Sequence, residues 1–201
     1  MKKIFKLLIC IALIFAMLNI IDAWRNRQIL KDSIIRLHVV GNSDSDFDQQ
    51  VKVQVKDAIV DYLEPIAEQF PTKEEAMTFL RENLSAIQEL SNRVLEKIGV
   101  KERATVSLEP QSFGLRDYET FSLPSGVYDA LRVKIGEAEG KNWWCVVFPS
   151  LCLPATSSGF EDAAVSAGFS ETLTHTLSEK SGYRVRFFLL DCIGKIDNLF
   201  Y

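Results

Sequence analysis

The chain has 201 residues, 47% of them hydrophobic and 25% charged, and a formal net charge of −4. Removal of the first 23 residues takes away three lysines and one aspartate and leaves 20 basic and 26 acidic residues, a net charge of −6. This acidic balance argues against nucleic acid or anionic lipid as a partner, because both attract basic surfaces. The 178 residues that remain are enough for one domain with a sizeable core.

The amino terminus carries a basic patch followed by a short apolar run. Three lysines within the first six residues precede the uncharged stretch 7–21, which as a helix is about 22 Å long at about 1.5 Å per residue. Export signals have this pattern, whereas a full membrane span prefers about 20 apolar residues. We therefore predict that residues 1–23 are a cleavable signal peptide, or alternatively a short membrane anchor, and that residues 24–201 form a single exported domain.

The next part of the chain has the pattern of one strand and two helices. Apolar residues alternate with Arg36 and His38 over residues 33–40, which is typical of a strand whose polar side chains face solvent. Apolar residues at helical spacing then predict a helix over 43–71. A capping box opens a second predicted helix over 72–99, which ends at a glycine.

Strand patterns dominate after residue 99. They predict strands at 104–108, 113–123, 130–135 and 142–148, the last two joined as a hairpin, followed by a third helix within 160–181 and a final strand at 183–191. Because helices and strands are segregated and most links between strands are short, we predict an α+β fold. Its largely antiparallel sheet would have about five strands, with an N-terminal strand, two consecutive helices and a third helix before the last strand.

Three cysteines follow the amino-terminal segment: Cys145, Cys152 and Cys192. An odd number in an oxidising compartment leaves one thiol unpaired or bound to another molecule. Cys145 and Cys152 flank a strand that runs into a proline turn, which could bring them within bridging distance. We predict a disulfide between these two. A bridge from either of them to Cys192, or three reduced and buried thiols, are the alternatives.

Few residues are suited to metal binding or to histidine catalysis. The chain has two histidines, His38 and His175, and neither has a second histidine at the spacing of metal ligands. The alternating Asp44, Asp46 and Asp48 resemble a calcium loop, but the glycine and glutamate that an EF-hand needs at its sixth and twelfth positions are missing. We expect these carboxylates to face the positive end of the following helix instead. The sequence thus predicts no metal site, no cofactor site and no catalytic residue.

The run Lys141, Asn142, Trp143, Trp144 is unusual for its adjacent tryptophans. Neighbouring residues of a strand point to opposite faces, so one tryptophan could be buried and the other exposed. An exposed tryptophan beside lysine and asparagine is a good anchor for a protein partner. Burial of both rings beneath helices or loops is the alternative.

Four blocks of the chain resemble the stage II sporulation protein R family, and they occur in the family's order. The run Gly-Lys-Asn-Trp-Trp-Cys at 140–145 is long enough to be specific, and the first block reads Ile-Arg-Leu-His-Val-Val-Gly-Asn-Ser-Asp. The blocks are residues 35–44, 126–137, 140–152 and 183–189. The export signal also agrees with the family, and the resemblance, from the first block to the last, spans nearly all of the exported domain.

The resemblance implies an intercellular signal of an endospore-forming bacterium. Such a protein is made in the forespore and exported across the forespore membrane into the intermembrane space, where it stays secreted or membrane-associated. There it activates its partner, a membrane-embedded aspartyl protease of the mother cell. That protease cleaves the precursor of a mother-cell sigma factor. The resemblance thus implies a protease activator and not an enzyme.

We expect the protease to contact a face that holds polar and aromatic groups unexplained by core packing. The candidate residues are Arg36, His38, Asn42, Asp44, Lys141, Asn142, Trp143 and Trp144. The chief alternative function is an exported peptidoglycan hydrolase that uses two carboxylates, a chemistry without a short local signature. A cell-wall-binding module and an anchored structural protein are further alternatives.

Overall fold

The computed structural model describes residues 2–67, 69–118, 120–149, 160–166, 169–178 and 185–201. In chain order the elements are α1 (Lys2–Ser33), β1 (Ile35–Val40), α2 (Asp46–Ala67), α3 (Lys73–Glu82), α4 (Leu84–Ile98), β2 (Ala104–Phe113), β3 (Arg116–Asp117), β4 (Ser122–Leu123), β5 (Gly126–Ile135), β6 (Asn142–Phe148), α5 (Phe160–Ser166), α6 (Glu171–Ser178) and α7 (Val185–Leu199).

Within the described residues, four strands form the main sheet in the order β2-β5-β1-β6. Strand β1 runs parallel to β5 and antiparallel to β6, and β2 runs antiparallel to β5. The predicted α+β class with a largely antiparallel sheet is therefore confirmed. The single strand predicted over 113–123 is replaced by the short strands β3 and β4, which pair with each other.

The hairpin predicted between β5 and β6 is wrong, because β1 lies between these two strands. Neighbouring strands are about 4.8 Å apart, so the link 136–141 has to cross about 10 Å. It does so by passing over the end of β1, where the N–H of Gly140 donates to the carbonyl oxygen of Gly41 at 2.9 Å. A short link between two strand patterns does not reveal a third strand inserted from elsewhere in the chain.

Helices cover both faces of the sheet. One apolar core lies between the sheet and helices α2, α3 and α4, and the other lies between the sheet and helices α1, α5, α6 and α7. All six residues of β1 are consequently buried. The prediction that Arg36 and His38 face solvent is wrong for this reason, since alternation indicates an exposed face only when one side of the sheet is open.

Helix α1 combines an exposed apolar part with a buried end. It could cross a membrane by its length and composition, and the apolar side chains of its first 20 residues are exposed. Ala23, Arg27 and Leu30 are buried against the domain. Arg27 donates to the carbonyl oxygen of Ser125 at 3.2 Å and forms an ion pair with Asp197 of α7. The last third of α1 is thus an integral part of the folded domain.

The second predicted helix is divided in two. Thr72 caps α3 by accepting a hydrogen bond from the backbone N–H of Glu75, as the capping box indicates. Asn83 then separates α3 from α4, and α4 ends at Gly99, whose φ of 85° is the left-handed conformation that glycine adopts most easily.

The final strand predicted at 183–191 is wrong, because residues 185–199 form helix α7. Leu190 and Gly194 are buried four residues apart, which is a helical spacing. Short apolar runs fit either periodicity, and only the helical one covers the sheet here. The third predicted helix consists of α5 and α6, and residues 167–168 between them lie outside the described residues.

Candidate functional site

Two loops meet at the carboxyl end of β1, and we call them the paired loops. They are residues 41–45, which lead into α2, and residues 136–141, which join β5 to β6. Asn42 holds them together in two ways. Its backbone carbonyl accepts from the N–H of Glu139 at 3.1 Å, and its side-chain oxygen accepts from the N–H of Glu137 at 3.1 Å.

Asp44, in the first of these loops, and Lys52, on α2, both hydrogen-bond to the second loop. The carboxylate of Asp44 accepts from the N–H of Lys141 at 2.6 Å, and the ammonium of Lys52 donates to the carbonyl oxygen of Lys141 at 2.9 Å. Asn42 and Asp44, two of the predicted partner contacts, therefore have a structural role. They keep the surface around β6 in one arrangement.

His38 lies beneath this surface and only 3% of it is exposed. Its ring stacks on Trp144 with centroids 3.8 Å apart, and its two nitrogens hydrogen-bond to Gln111 at 2.9 Å and to Asn142 at 2.6 Å. His38 thus cannot touch a partner directly. It positions Trp144 and Asn142 at the start of β6.

Arg36 is fully buried on the same face of β1. Its guanidinium lies 4.0 Å from the ring centroid of Phe113 and donates to the hydroxyl of Tyr118 at 2.7 Å. Two of its nitrogens, Nε and Nη1, have no hydrogen-bond partner among the residues that the structure describes. The aromatic faces compensate part of the cost of burying this charge. Like His38, it is not available as a surface contact.

The exposed part of the predicted contact set is the start of β6. Lys141 and Asn142 are exposed, Trp143 is 37% exposed, and Trp144 is partly buried with its ring 4.9 Å from that of Phe113. The ammonium of Lys56 lies 4.8 Å from the centroid of Trp143. We call Lys56, Lys141 and Trp143 the β6 patch. It can offer a partner one large apolar ring and the positive charge of Lys141, since the Lys56 side chain is mostly buried and its ammonium forms an ion pair with Asp57.

Lys52 and Lys56 were not among the predicted site residues, and only their common helix face could be inferred from the sequence. They lie four residues apart on α2 and so share one face of that helix. Nothing in the sequence indicates that this face meets β6, because that contact depends on the insertion of β1 between β5 and β6.

The cysteines of the described chain divide into one bridged and two free residues. Cys145 is disulfide-bonded, whereas Cys10 and Cys192 are free. The alternative bridges to Cys192 and the alternative of three reduced thiols are therefore wrong. The predicted partner Cys152 lies outside the described residues, so its pairing with Cys145 stays a prediction.

The acidic run meets the expectation only in part, because Asp44 lies before α2 and accepts from the N–H of Lys141. Asp46 and Asp48 are in the first turn of α2, where carboxylates stabilise the positive end of a helix. Within the described ranges, no group of three or more histidine, cysteine, aspartate and glutamate side chains could hold a metal ion. His175, the other histidine, is exposed on α6.

The burial of His38 makes stability depend on pH. Burial lowers the pKa of His38, partly opposed by its hydrogen bonds to Asn142 and Gln111. The unfolded chain binds the proton more tightly, so the stabilisation is complete above about pH 6.5 and decreases as the pH falls below that value. The slope of this loss is at most about 1.4 kcal/mol per pH unit, and the loss ends once the pH falls below the lowered pKa of His38 in the folded state.

Urea unfolding in detergent at pH 7.5 and 5.5 measures this effect, with H38Q as the matched variant. Glutamine can keep a hydrogen bond but does not titrate, so H38Q should lose less stability between the two pH values. An equal loss in both proteins would show that other groups cause the pH dependence.

Residues 31–158 match the family model described as Stage II sporulation protein R (spore_II_R). A protein named Stage II sporulation protein R, from Bacillus subtilis (strain 168), is 30% identical over 186 residues, an alignment that covers 84% of this chain and 83% of the relative. No solved structure matches the chain. The family range contains the paired loops and the β6 patch and excludes most of α1.

Proposed function

Because the chain belongs to the stage II sporulation protein R family, we propose that it is an exported signalling protein that activates a membrane-embedded aspartyl protease. The protease then cleaves the precursor of a mother-cell sigma factor. The observation that carries the proposal is the family match, which spans the sheet and the paired loops. The domain would act in the intermembrane space after export across the forespore membrane.

The structure of α1 supports a site of action next to a membrane. This helix is long and apolar enough to cross a bilayer, and its last third is fixed in the domain through Arg27 and Leu30. If α1 is retained as an anchor, the domain is held within a few helical turns of the membrane surface. The partner that we propose is embedded in a membrane facing the same space.

A protein ligand activates an enzyme only if it binds the active state better than the inactive state. The binding surface of the ligand therefore has to be rigid enough to fit the active state of the enzyme better than the inactive state. The paired loops provide such rigidity, because Asn42, Asp44 and Lys52 connect them by hydrogen bonds. We propose that the β6 patch is one contact with the protease.

Co-expression in a host that does not sporulate tests the function. The protease and the sigma-factor precursor are expressed with or without this chain, and cleavage is followed by immunoblot. We expect cleavage only when the exported chain is present. Absence of cleavage with a folded, exported chain would contradict the proposal, and hydrolysis of purified cell wall by the chain would then favour the peptidoglycan hydrolase.

The β6 patch is tested in the same assay by the double variant K141A/W143A. Both side chains are exposed and Lys141 uses only its backbone in the paired loops. We expect normal accumulation of the folded chain and at least an approximately tenfold loss of precursor cleavage, as is usual when a tryptophan anchor is removed. Unchanged cleavage would remove the patch from the contact surface.

A further inference from the structure

An open groove runs along the exposed side of α3. It has a volume of about 420 Å³ and is lined by Phe70, Glu74, Glu75, Thr78, Phe79 and Glu82. We call it the α3 groove. It is separate from the β6 patch, with which it shares no residue.

The floor of the α3 groove is aromatic. Phe70 and Phe79 are only partly buried, and their ring centroids are 5.3 Å apart. The same two rings border a small apolar pocket of about 20 Å³ that reaches Leu63 and Phe148. A single aliphatic or aromatic side chain of a partner could cover these rings and insert its tip into the pocket, which would remove apolar surface from water.

The walls of the α3 groove are acidic. Glu74, Glu75 and Glu82 are exposed, and none of them forms an ion pair with a residue of the described chain. The basic residues of α3, Lys73 and Arg81, do not line the groove. Three carboxylates around two aromatic rings favour a lysine or arginine, which is attracted both by the charges and by the ring faces.

The groove lies close to the base of the amino-terminal helix. Lys73, next to Glu74, donates to the backbone carbonyl of Lys31 and forms an ion pair with Asp129 at 2.7 Å. Lys31 is ten residues beyond the end of the uncharged run of α1, about 15 Å along the helix at about 1.5 Å per residue. With α1 in a membrane, the groove is within reach of short external segments of another membrane protein.

We propose that the α3 groove binds a basic segment of the membrane-embedded partner, with one apolar side chain over Phe70 and Phe79 and lysine or arginine beside the glutamates. This inference rests on the proposed function and names a second contact for it. The complementary charge of the groove identifies the occupant as a basic segment rather than an acidic or neutral one.

The test uses the full chain and two matched triple variants. E74Q/E75Q/E82Q removes three negative charges from the groove and keeps the side-chain shapes, including a residue that can complete the capping box at position 75. E89Q/E96Q/E102Q removes three negative charges from exposed positions outside the groove, where the ion pairs of Glu89 with Arg93 and of Glu96 with Arg103 are exposed and contribute little to stability. A third variant, T78K, places an ammonium of the chain itself in the groove.

Binding to the detergent-solubilised protease is measured at about 50 and about 500 mM salt, because salt screens exposed charges. We expect the groove triple variant and T78K to bind about tenfold or more weakly at low salt, and the control triple variant to bind like the wild type. Wild-type binding should weaken at high salt, and that of the groove triple variant should change much less.

The outcomes separate the two proposals. Equal binding by the wild type and the groove variants would show that the α3 groove is not a binding site, while leaving the proposed function intact. Equal weakening in both triple variants would also overturn it, since net charge and not the groove would then be responsible. If the wild-type chain binds but precursor cleavage does not follow in the co-expression assay, the proposed activation is wrong and the groove remains a binding site.

Discussion

A chain that lacks residues 1–33 is expected to remain unfolded, whereas a chain that lacks only residues 1–22 is expected to fold. The longer deletion removes Ala23, Arg27 and Leu30 from one of the two apolar cores. Loss of Leu30 alone should cost about 2–5 kcal/mol, since it is fully buried. Loss of Arg27 also leaves the buried carbonyl oxygen of Ser125 and the carboxylate of Asp197 without this donor.

The two purified truncated chains can be compared by circular dichroism and by limited proteolysis. The chain that begins at Ala23 should show a cooperative thermal transition and resist the protease, and the chain that begins at Ile34 should show neither. Similar transition temperatures would mean that the last third of α1 is dispensable, and the integral role assigned to it would be wrong. A chain cut after Ala23, at the predicted signal-peptide site, keeps Arg27 and Leu30 and is expected to fold.

The substitution G194A is expected to destabilise the domain by about 2–3 kcal/mol, although alanine favours helices over glycine by about 1 kcal/mol. Gly194 lies in the interior of α7, and a Cβ atom there would overlap the carbonyl oxygen of Ser125. Ser125 cannot move away easily, because two hydrogen bonds hold its backbone. Its N–H donates to Asp191 at 2.9 Å, and its carbonyl accepts from Arg27.

G114A is the matched control, because a Cβ atom at Gly114 would meet no atom within 4 Å. Urea unfolding should give a lower midpoint for G194A and an unchanged or slightly higher one for G114A. A stabilised G194A would indicate that α7 does not pack against Ser125 at close range. It would also count against the assignment of this part of the chain to helix α7 instead of the predicted strand.

The sequence was sufficient to predict the features that depend on local interactions. The caps at Thr72 and Gly99 could be predicted because each uses neighbouring residues only. The apolar run before Ala23 could be recognised for the same reason. The α+β class followed from the segregation of strand and helix patterns, which does not require knowledge of strand order.

The features that the sequence could not predict depend on distant packing. The order β2-β5-β1-β6 places β1 between two strands that follow it by more than 80 residues, so the predicted hairpin was wrong. The same insertion buries Arg36 and His38 and moves them from the predicted surface to the core. The α3 groove was not predicted, because only the tertiary packing brings the rings of Phe70 and Phe79 together and leaves both partly exposed.

The most direct test of the proposed function uses purified components. The aspartyl protease is reconstituted in liposomes, the sigma-factor precursor is supplied on the side of the protease active site, and this chain is added on the side that corresponds to the intermembrane space. We predict precursor cleavage with the wild-type chain and little or none without it. Cleavage at the same rate without the chain, or no cleavage with a folded chain on the correct side, would contradict the role of this protein as the activator.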